Sequence, residues 1–125
     1  MKNKILIVED EAVLSTVLAD KFIKENFEVV VAKDGKQGLN AALSAHPDCI
    51  LVDILMPVMD GIAMLRELRK DAWGKNANVF MLTNLSSAER ELDSQTLGAK
   101  DYLIKTDWKL KDVVKKVKEK IGENT

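Results

Sequence analysis

Cys49-Ile50-Leu51-Val52-Asp53-Ile54-Leu55-Met56-Pro57-Val58-Met59-Asp60-Gly61 begins as an apolar run and breaks at a carboxylate. Cys49 to Val52 are apolar at every position, the pattern of a strand covered on both faces. Asp53 is the first charged residue after them, and Pro57 and Gly61 force a loop. An aspartate carried to the mouth of an apolar strand is either a loop cap or a piece of chemistry. The stretch alone leaves both readings open, so the other strand ends have to separate them.

The same pattern stands at the start of the chain. Ile5-Leu6-Ile7-Val8 is uninterrupted and ends in Glu9-Asp10-Glu11. From Ala12 the period changes, with Leu14, Val17, Leu18 and Phe22 at helical spacing and Asn26 as a stop. Glu28 to Ala32 reads as a strand. Asp34-Gly35 then turns into a helix whose apolar face is Leu39, Ala42 and Leu43, ended by His46-Pro47. After the opening stretch, Ile62, Leu65 and Leu68 predict a third helix that runs out near Trp73-Gly74-Lys75-Asn76. Val79 to Leu82 is the fourth apolar run, followed by Thr83-Asn84. Ser86 or Ser87 caps a fourth helix that continues to Leu97, where Gly98 stops it. Lys100 to Ile104 supplies a fifth strand. Leu110, Val113, Val114, Val117 and Ile121 mark a final amphipathic helix with lysines on its outer face, and 122–125 reads as a frayed end.

Strands are therefore expected at about 4–8, 28–32, 49–53, 78–83 and 100–104, alternating with five helices. That rhythm belongs to right-handed crossovers and a doubly wound parallel sheet, an α/β fold. At 125 residues the chain reads as one domain, 1–125, able to bury roughly two-thirds of its unfolded surface. Its 19 basic and 20 acidic residues exclude a general attraction for nucleic acid or an anionic membrane. Neither a signal peptide nor a membrane span is readable, and the single cysteine, Cys49, sits in an apolar strand. The expected location is the cytoplasm. His46, before a proline at a helix end, reads as structural, and Met56, Met59 and Met64 as packing residues. Gly35 and Gly38 are too sparse for a dinucleotide fingerprint and do not follow the first strand.

In open α/β sheets ligands bind beyond the carboxyl ends of the strands, where strand order reverses. With the order 2-1-3-4-5, the first and third strands flank that point. Asp10 and Asp53 would then share one crevice, with Glu9, Thr83 and Lys105 beside them. Three carboxylates there repel, because two unit charges at 4 Å cost about 4 kcal/mol at an effective dielectric near 20. Lys105 supplies one counter-charge and a divalent ion would supply two more. Carboxylate, carbonyl and water oxygens suit Mg²⁺, whereas zinc would want His or Cys. A metal there lets a phosphate dianion approach and lets Asp53 act as a nucleophile that becomes an acyl phosphate. Thr83 can donate to one phosphoryl oxygen and Lys105 can pair with another.

These residues, in this order, resemble the response-regulator receiver domains of two-component signalling, and the resemblance covers essentially the whole chain. It rests on Glu9-Asp10, on Asp53 within the stretch ending at Asp60-Gly61, on Thr83 and on Lys105. The resemblance implies a flavodoxin-like fold and a phosphoacceptor role for Asp53. It implies that Asp10, Asp53 and the Leu55 carbonyl ligate Mg²⁺, with Glu9 acting mainly through water. The amides of Leu55 and Asn84 would hold phosphoryl oxygens, and Thr83 and Tyr102 would be the switch pair. The expected donor is a histidine kinase or histidine phosphotransfer protein. Output would run through a protein partner on the face of helix 4, strand 5 and helix 5, with no direct contact to nucleic acid or membrane.

Two positions depart from the family pattern. Thr106 follows Lys105 where proline, often after a cis bond, is common; without proline a cis bond costs about 3 kcal/mol. Leu55 puts an apolar side chain beside the phosphoryl position and is expected to alter the autodephosphorylation rate. Both departures motivate an alternative, a receiver fold that binds partners without phosphorylation. FMN binding would need a Ser-, Thr- and Gly-rich phosphate loop after strand one, where three acidic residues stand. A phosphatase of the haloacid-dehalogenase type would need an aspartate at Leu55. Enzymatic activity is therefore expected only as self-phosphotransfer and autodephosphorylation.

Overall fold

The computed structural model describes residues 2–122; positions 123–125 of the expected frayed end lie outside the described residues. Five parallel strands form one sheet in the order β2-β1-β3-β4-β5. They are β1 (Lys4–Val8), β2 (Glu28–Ala32), β3 (Cys49–Val52), β4 (Val79–Thr83) and β5 (Asp101–Ile104). Helices α1 (Ala12–Lys24), α2 (Gly35–Ala45), α3 (Gly61–Leu68), α4 (Ala88–Thr96) and α5 (Leu110–Lys120) connect and follow them. The expected α/β, doubly wound, flavodoxin-like architecture is what the chain adopts.

Alternating side chains on each strand feed two cores. Ile5, Ile7, Cys49, Leu51, Phe80 and Leu103 face α1 and α5, packing with Leu18, Phe22, Val113 and Val117. Leu6, Val8, Ile50, Val52, Val79 and Met81 face the other way, against Ala42 of α2 and Ile62, Leu65 and Leu68 of α3. Both faces of the central strands are dry, which is why those strands read as unbroken apolar runs. Met64 is buried, and Met56 and Met59 pack against the second core. Helix α4 is the exception, since Ser94 alone among its residues is buried.

The helix stops follow local chemistry. Asp34, Asp60 and Ser87 each accept an N–H of the first turn of α2, α3 and α4, from Gln37, Ala63 and Arg90. Of the two serines offered for α4, Ser87 is the cap. Asn26 at φ 70° and His46 at φ 46° end α1 and α2 in the left-handed region, and the His46 ring stacks on Trp73 with centroids 4.3 Å apart. Its structural reading holds.

Three boundaries differ from expectation. Strand β3 ends at Val52, so Asp53 already belongs to the loop. A 3-10 turn, Lys105–Asp107, follows β5. Helix α3 stops at Leu68 rather than near Trp73. Past that point Asp71 accepts the N–H groups of Trp73 and Gly74 at 2.9 Å, which bends the chain into a short 3-10 segment, Gly74–Asn76. Arg69 holds the end in place. Its guanidinium donates to the carbonyls of Leu97 at 2.7 Å, Gly74 and Ala77 at 2.8 Å and Gly98 at 3.1 Å, tying the end of α3 to the start of β4 and the end of α4.

Arg69→Met removes donors from four carbonyls at once and is expected to lower unfolding stability by about 2–3 kcal/mol. Arg69→Lys should not restore it, because an ammonium lacks the planar fork. Urea unfolding midpoints of the three proteins check both statements.

Candidate functional site

The site lies where the order of strands reverses, between β1 and β3, at their carboxyl ends. Strand pairing fixes it: Val8 is in register with Val52, and the Asp53 N–H donates to the Val8 carbonyl at 3.1 Å. Residues 9–10 and 53 are therefore adjacent despite their separation in sequence. Oxygens of Glu9, Asp10 and Asp53 all lie within 4.8 Å of one another. Glu9 and Asp53 are buried and Asp10 is exposed, so the crevice opens on the Asp10 side.

Lys105 closes the crevice from β5. Its Nζ lies 2.8 Å from Asp53 Oδ2 and 2.9 Å from Glu9 Oε1, with the side chain only 12% exposed. Among the described residues no peptide bond is cis, so Lys105–Thr106 is trans, and the 3-10 turn at Lys105–Asp107 brings the ammonium in without a proline. The departure at Thr106 leaves the lysine in place.

The electrostatics follow from this crowding. Burial pushes the Glu9 carboxyl above its ordinary value; the Lys105 hydrogen bond opposes this, and the Asp53 charge adds to it. Burial alone would lower the Lys105 ammonium, but its hydrogen bonds to Asp53 and Glu9, with their charges, outweigh that and hold it above the ordinary lysine value. Three carboxylates against one ammonium is a donor set of hard oxygens with charge left to neutralise, which fits a divalent cation such as Mg²⁺.

The remaining expected residues lie on β4 and β5 or in the loops after β3 and β4. Leu55 donates its N–H to Asp53 Oδ1 over a long 3.4 Å, with its side chain exposed. Thr83 is fully buried at the end of β4 and Asn84 is exposed just after it. Tyr102 packs against the α2–α3 core side of β5. The sequence reading missed Leu85. Its N–H is accepted by Thr83 Oγ1 at 3.2 Å, and its carbonyl accepts the Tyr102 hydroxyl, so both side chains grip one peptide segment. Those contacts are made by backbone atoms, and residue types give no signal of them.

Comparison with known proteins agrees with this geometry. The family described as the response regulator receiver domain matches residues 5–118. The chemotaxis protein CheY of Bacillus subtilis is 36% identical over 107 residues, covering 84% of this chain and 87% of that one. A CheY-like receiver domain protein from Methanospirillum hungatei superposes with a TM-score of 0.91 at 28% identity, over 98% of this chain and 96% of that one. The receiver domain of the Pseudomonas aeruginosa sensor histidine kinase PA1611, which has a magnesium ion coordinated in its active-site cleft, gives 0.87 at 29% identity over 98% and 99%. The chain spans only 40–42% of the length of several probable transcriptional regulators that are 34–36% identical to it. Strand order, the acidic crevice and these matches together place the chain in the response regulator receiver domain family of two-component systems.

Proposed function

We propose that the protein is a phosphorylation-activated switch in which Asp53 accepts a phosphoryl group from a histidine kinase or a histidine phosphotransfer protein. The observation that carries this is the convergence of Glu9, Asp10 and Asp53, with the Lys105 ammonium 2.8 Å from Asp53. An oxygen of Asp53 attacks phosphorus, the P–N bond to the donor imidazole breaks, and the ring nitrogen keeps the electron pair. An acyl phosphate results. Lys105, already between Asp53 and Glu9, would pair with a phosphoryl oxygen, and the amides of Leu55 and Asn84 would hold others. Mg²⁺, held by Asp10, Asp53 and the Leu55 carbonyl with Glu9 behind them, would neutralise the charge that the phosphoryl group adds. The magnesium in the PA1611 receiver supports that assignment by similarity. No turnover of outside substrates is proposed beyond self-phosphotransfer and hydrolysis of the acyl phosphate.

Thr83 is assigned as the switch hydroxyl. Its oxygen accepts the Leu85 N–H, which leaves the hydroxyl proton to donate to a phosphoryl oxygen; a side chain drawn toward Asp53 would pull on the Leu85 segment, whose carbonyl Tyr102 holds. The change would thus reach the α4, β5 and α5 face, where a downstream protein binds. Donation by a histidine kinase places the protein in the cytoplasm; no helix among the described residues is long and apolar enough to cross a membrane. The alternative is a phosphorylation-independent interaction module, favoured by the exposed Leu55 side chain beside Asp53.

Three outcomes are expected. With acetyl phosphate and Mg²⁺ the intact mass rises by one phosphoryl group, and Asp53→Asn abolishes the gain; no gain, or a gain in the variant, refutes the reading. Mg²⁺ alone raises the melting temperature, since saturation at about a hundred times Kd adds roughly 2.7 kcal/mol, and a silent titration favours the interaction module. Burial, with the charges of Glu91 and Asp53, holds the single tyrosine, Tyr102, above the ordinary phenol value of 10.0. Its folded form therefore keeps a proton that the unfolded chain loses, and this contribution to stability is full below pH 10.0 and is lost as pH rises through the folded value. Ultraviolet titration of the phenolate should give a lower midpoint in Asp53→Asn than in the wild type.

A further inference from the structure

The loop from β3 to α3 contains a residue that its own backbone disfavours. Val58 has φ 68°, and the Pro57 carbonyl accepts the Met59 N–H at 2.7 Å across it, a γ-turn of the strained hand. A β-branched side chain is a poor occupant of the left-handed region, where glycine and asparagine sit at little cost. The valine returns nothing to the fold. It is 79% exposed and belongs to neither core. The loop is closed instead by backbone bonds, Gly61 N–H to Ile54 O and Gly35 N–H to Met59 O, each 3.0 Å, which any residue at 58 would permit.

Its position suggests what the side chain serves. The same loop carries Asp53 and Leu55, the latter 57% exposed; Val13, 78% exposed, follows Asp10 by three residues in the first turn of α1. Apolar side chains thus stand on both segments that bear the carboxylates. A donor must bring phosphorus to a carboxylate oxygen of Asp53. A protein carrying phosphohistidine has to cover these segments to do so, whereas a small donor does not.

We propose that Val58, with Leu55 in the same loop, is an apolar lip on which a protein phosphodonor seats, meeting an apolar surface around that donor's phosphohistidine. Val58 is then a positioning residue: it governs transfer from proteins and leaves the chemistry at Asp53 alone. This rests on Asp53 being the phosphoacceptor.

Val58→Asn suits the backbone and removes the apolar surface, while Val58→Ile keeps both shape and strain. Labelling rates are measured with phosphoramidate and with a panel of autophosphorylated histidine kinases and phosphotransfer domains. Both variants should accept from phosphoramidate as the wild type does. Val58→Asn should accept from protein donors roughly tenfold more slowly, what burial of one valine side chain is worth, and Val58→Ile at the wild-type rate. The urea midpoint of Val58→Asn should equal or exceed that of the wild type. Wild-type transfer to Val58→Asn from every protein donor, equal slowing in Val58→Ile, a lowered midpoint in Val58→Asn, or no protein donor labelling the wild type would each overturn the lip. Failure of phosphoramidate and acetyl phosphate to label the wild type would overturn the Asp53 reading itself, and the lip with it.

Discussion

Mutual repulsion among three carboxylates is the constraint around which this molecule is arranged. Parallel pairing of β1 with β3 forces Glu9 and Asp10 against Asp53, and nothing in the sheet can separate them. The only positive side chain paired within this cluster, among the described residues, is Lys105, which bridges Asp53 and Glu9 from the far side of β4. Because Lys105 arrives on the strand at the opposite edge from β2, its placement depends on the whole sheet being in register. A slip of β4 or β5 would strand an ammonium and leave Glu9 and Asp53 buried with uncompensated charge, which costs several kcal/mol.

That dependence explains why a site holding excess negative charge is tolerated. Central strands dry on both faces impose the convergence, and the carboxylates stand at the carboxyl ends of those strands, where Asp10 is exposed. The negative charge left after Lys105 is what a divalent cation would neutralise.

The strands and the carboxylates at their ends were legible because each follows from periodicity or from where an apolar run stops, while the order 2-1-3-4-5 that gathers them is what the family resemblance implied. Asp53, Asp10 and Lys105 could be brought together from the strand order alone. What was not legible depends on contacts between distant backbone atoms. The early end of α3 is held by Arg69 bonding to Leu97 and Gly98, 28 and 29 residues away, and no helical periodicity encodes that. The trans arrival of Lys105 through a 3-10 turn could not be read from a missing proline, because proline's absence removes one solution without naming the next. Leu85 was invisible for the same reason as Arg69's targets: its peptide groups, not its side chain, make the contacts.

Those hidden contacts bear on how a local event at Asp53 can move a surface. The C-terminal end of α4 is fastened through the carbonyls of Leu97 and Gly98 to Arg69, and the segment leading into its N-terminal end is fastened at Leu85 to Thr83 and Tyr102. Between them the helix buries only Ser94 and exposes Leu92, so little apolar area resists its displacement. One fastening is two bonds from a guanidinium that two more bonds hold to Gly74 and Ala77; the other is two neutral hydrogen bonds worth about 1 kcal/mol each. In the proposed switch a phosphoryl group on Asp53 draws the Thr83 side chain, which carries one of those two bonds, toward itself. The weaker fastening lies next to the chemistry and the stronger lies at the far end. Movement should therefore be a pivot of α4 about its C-terminus, carrying Tyr102 and the N-terminal half of that helix, rather than a shift of the whole element.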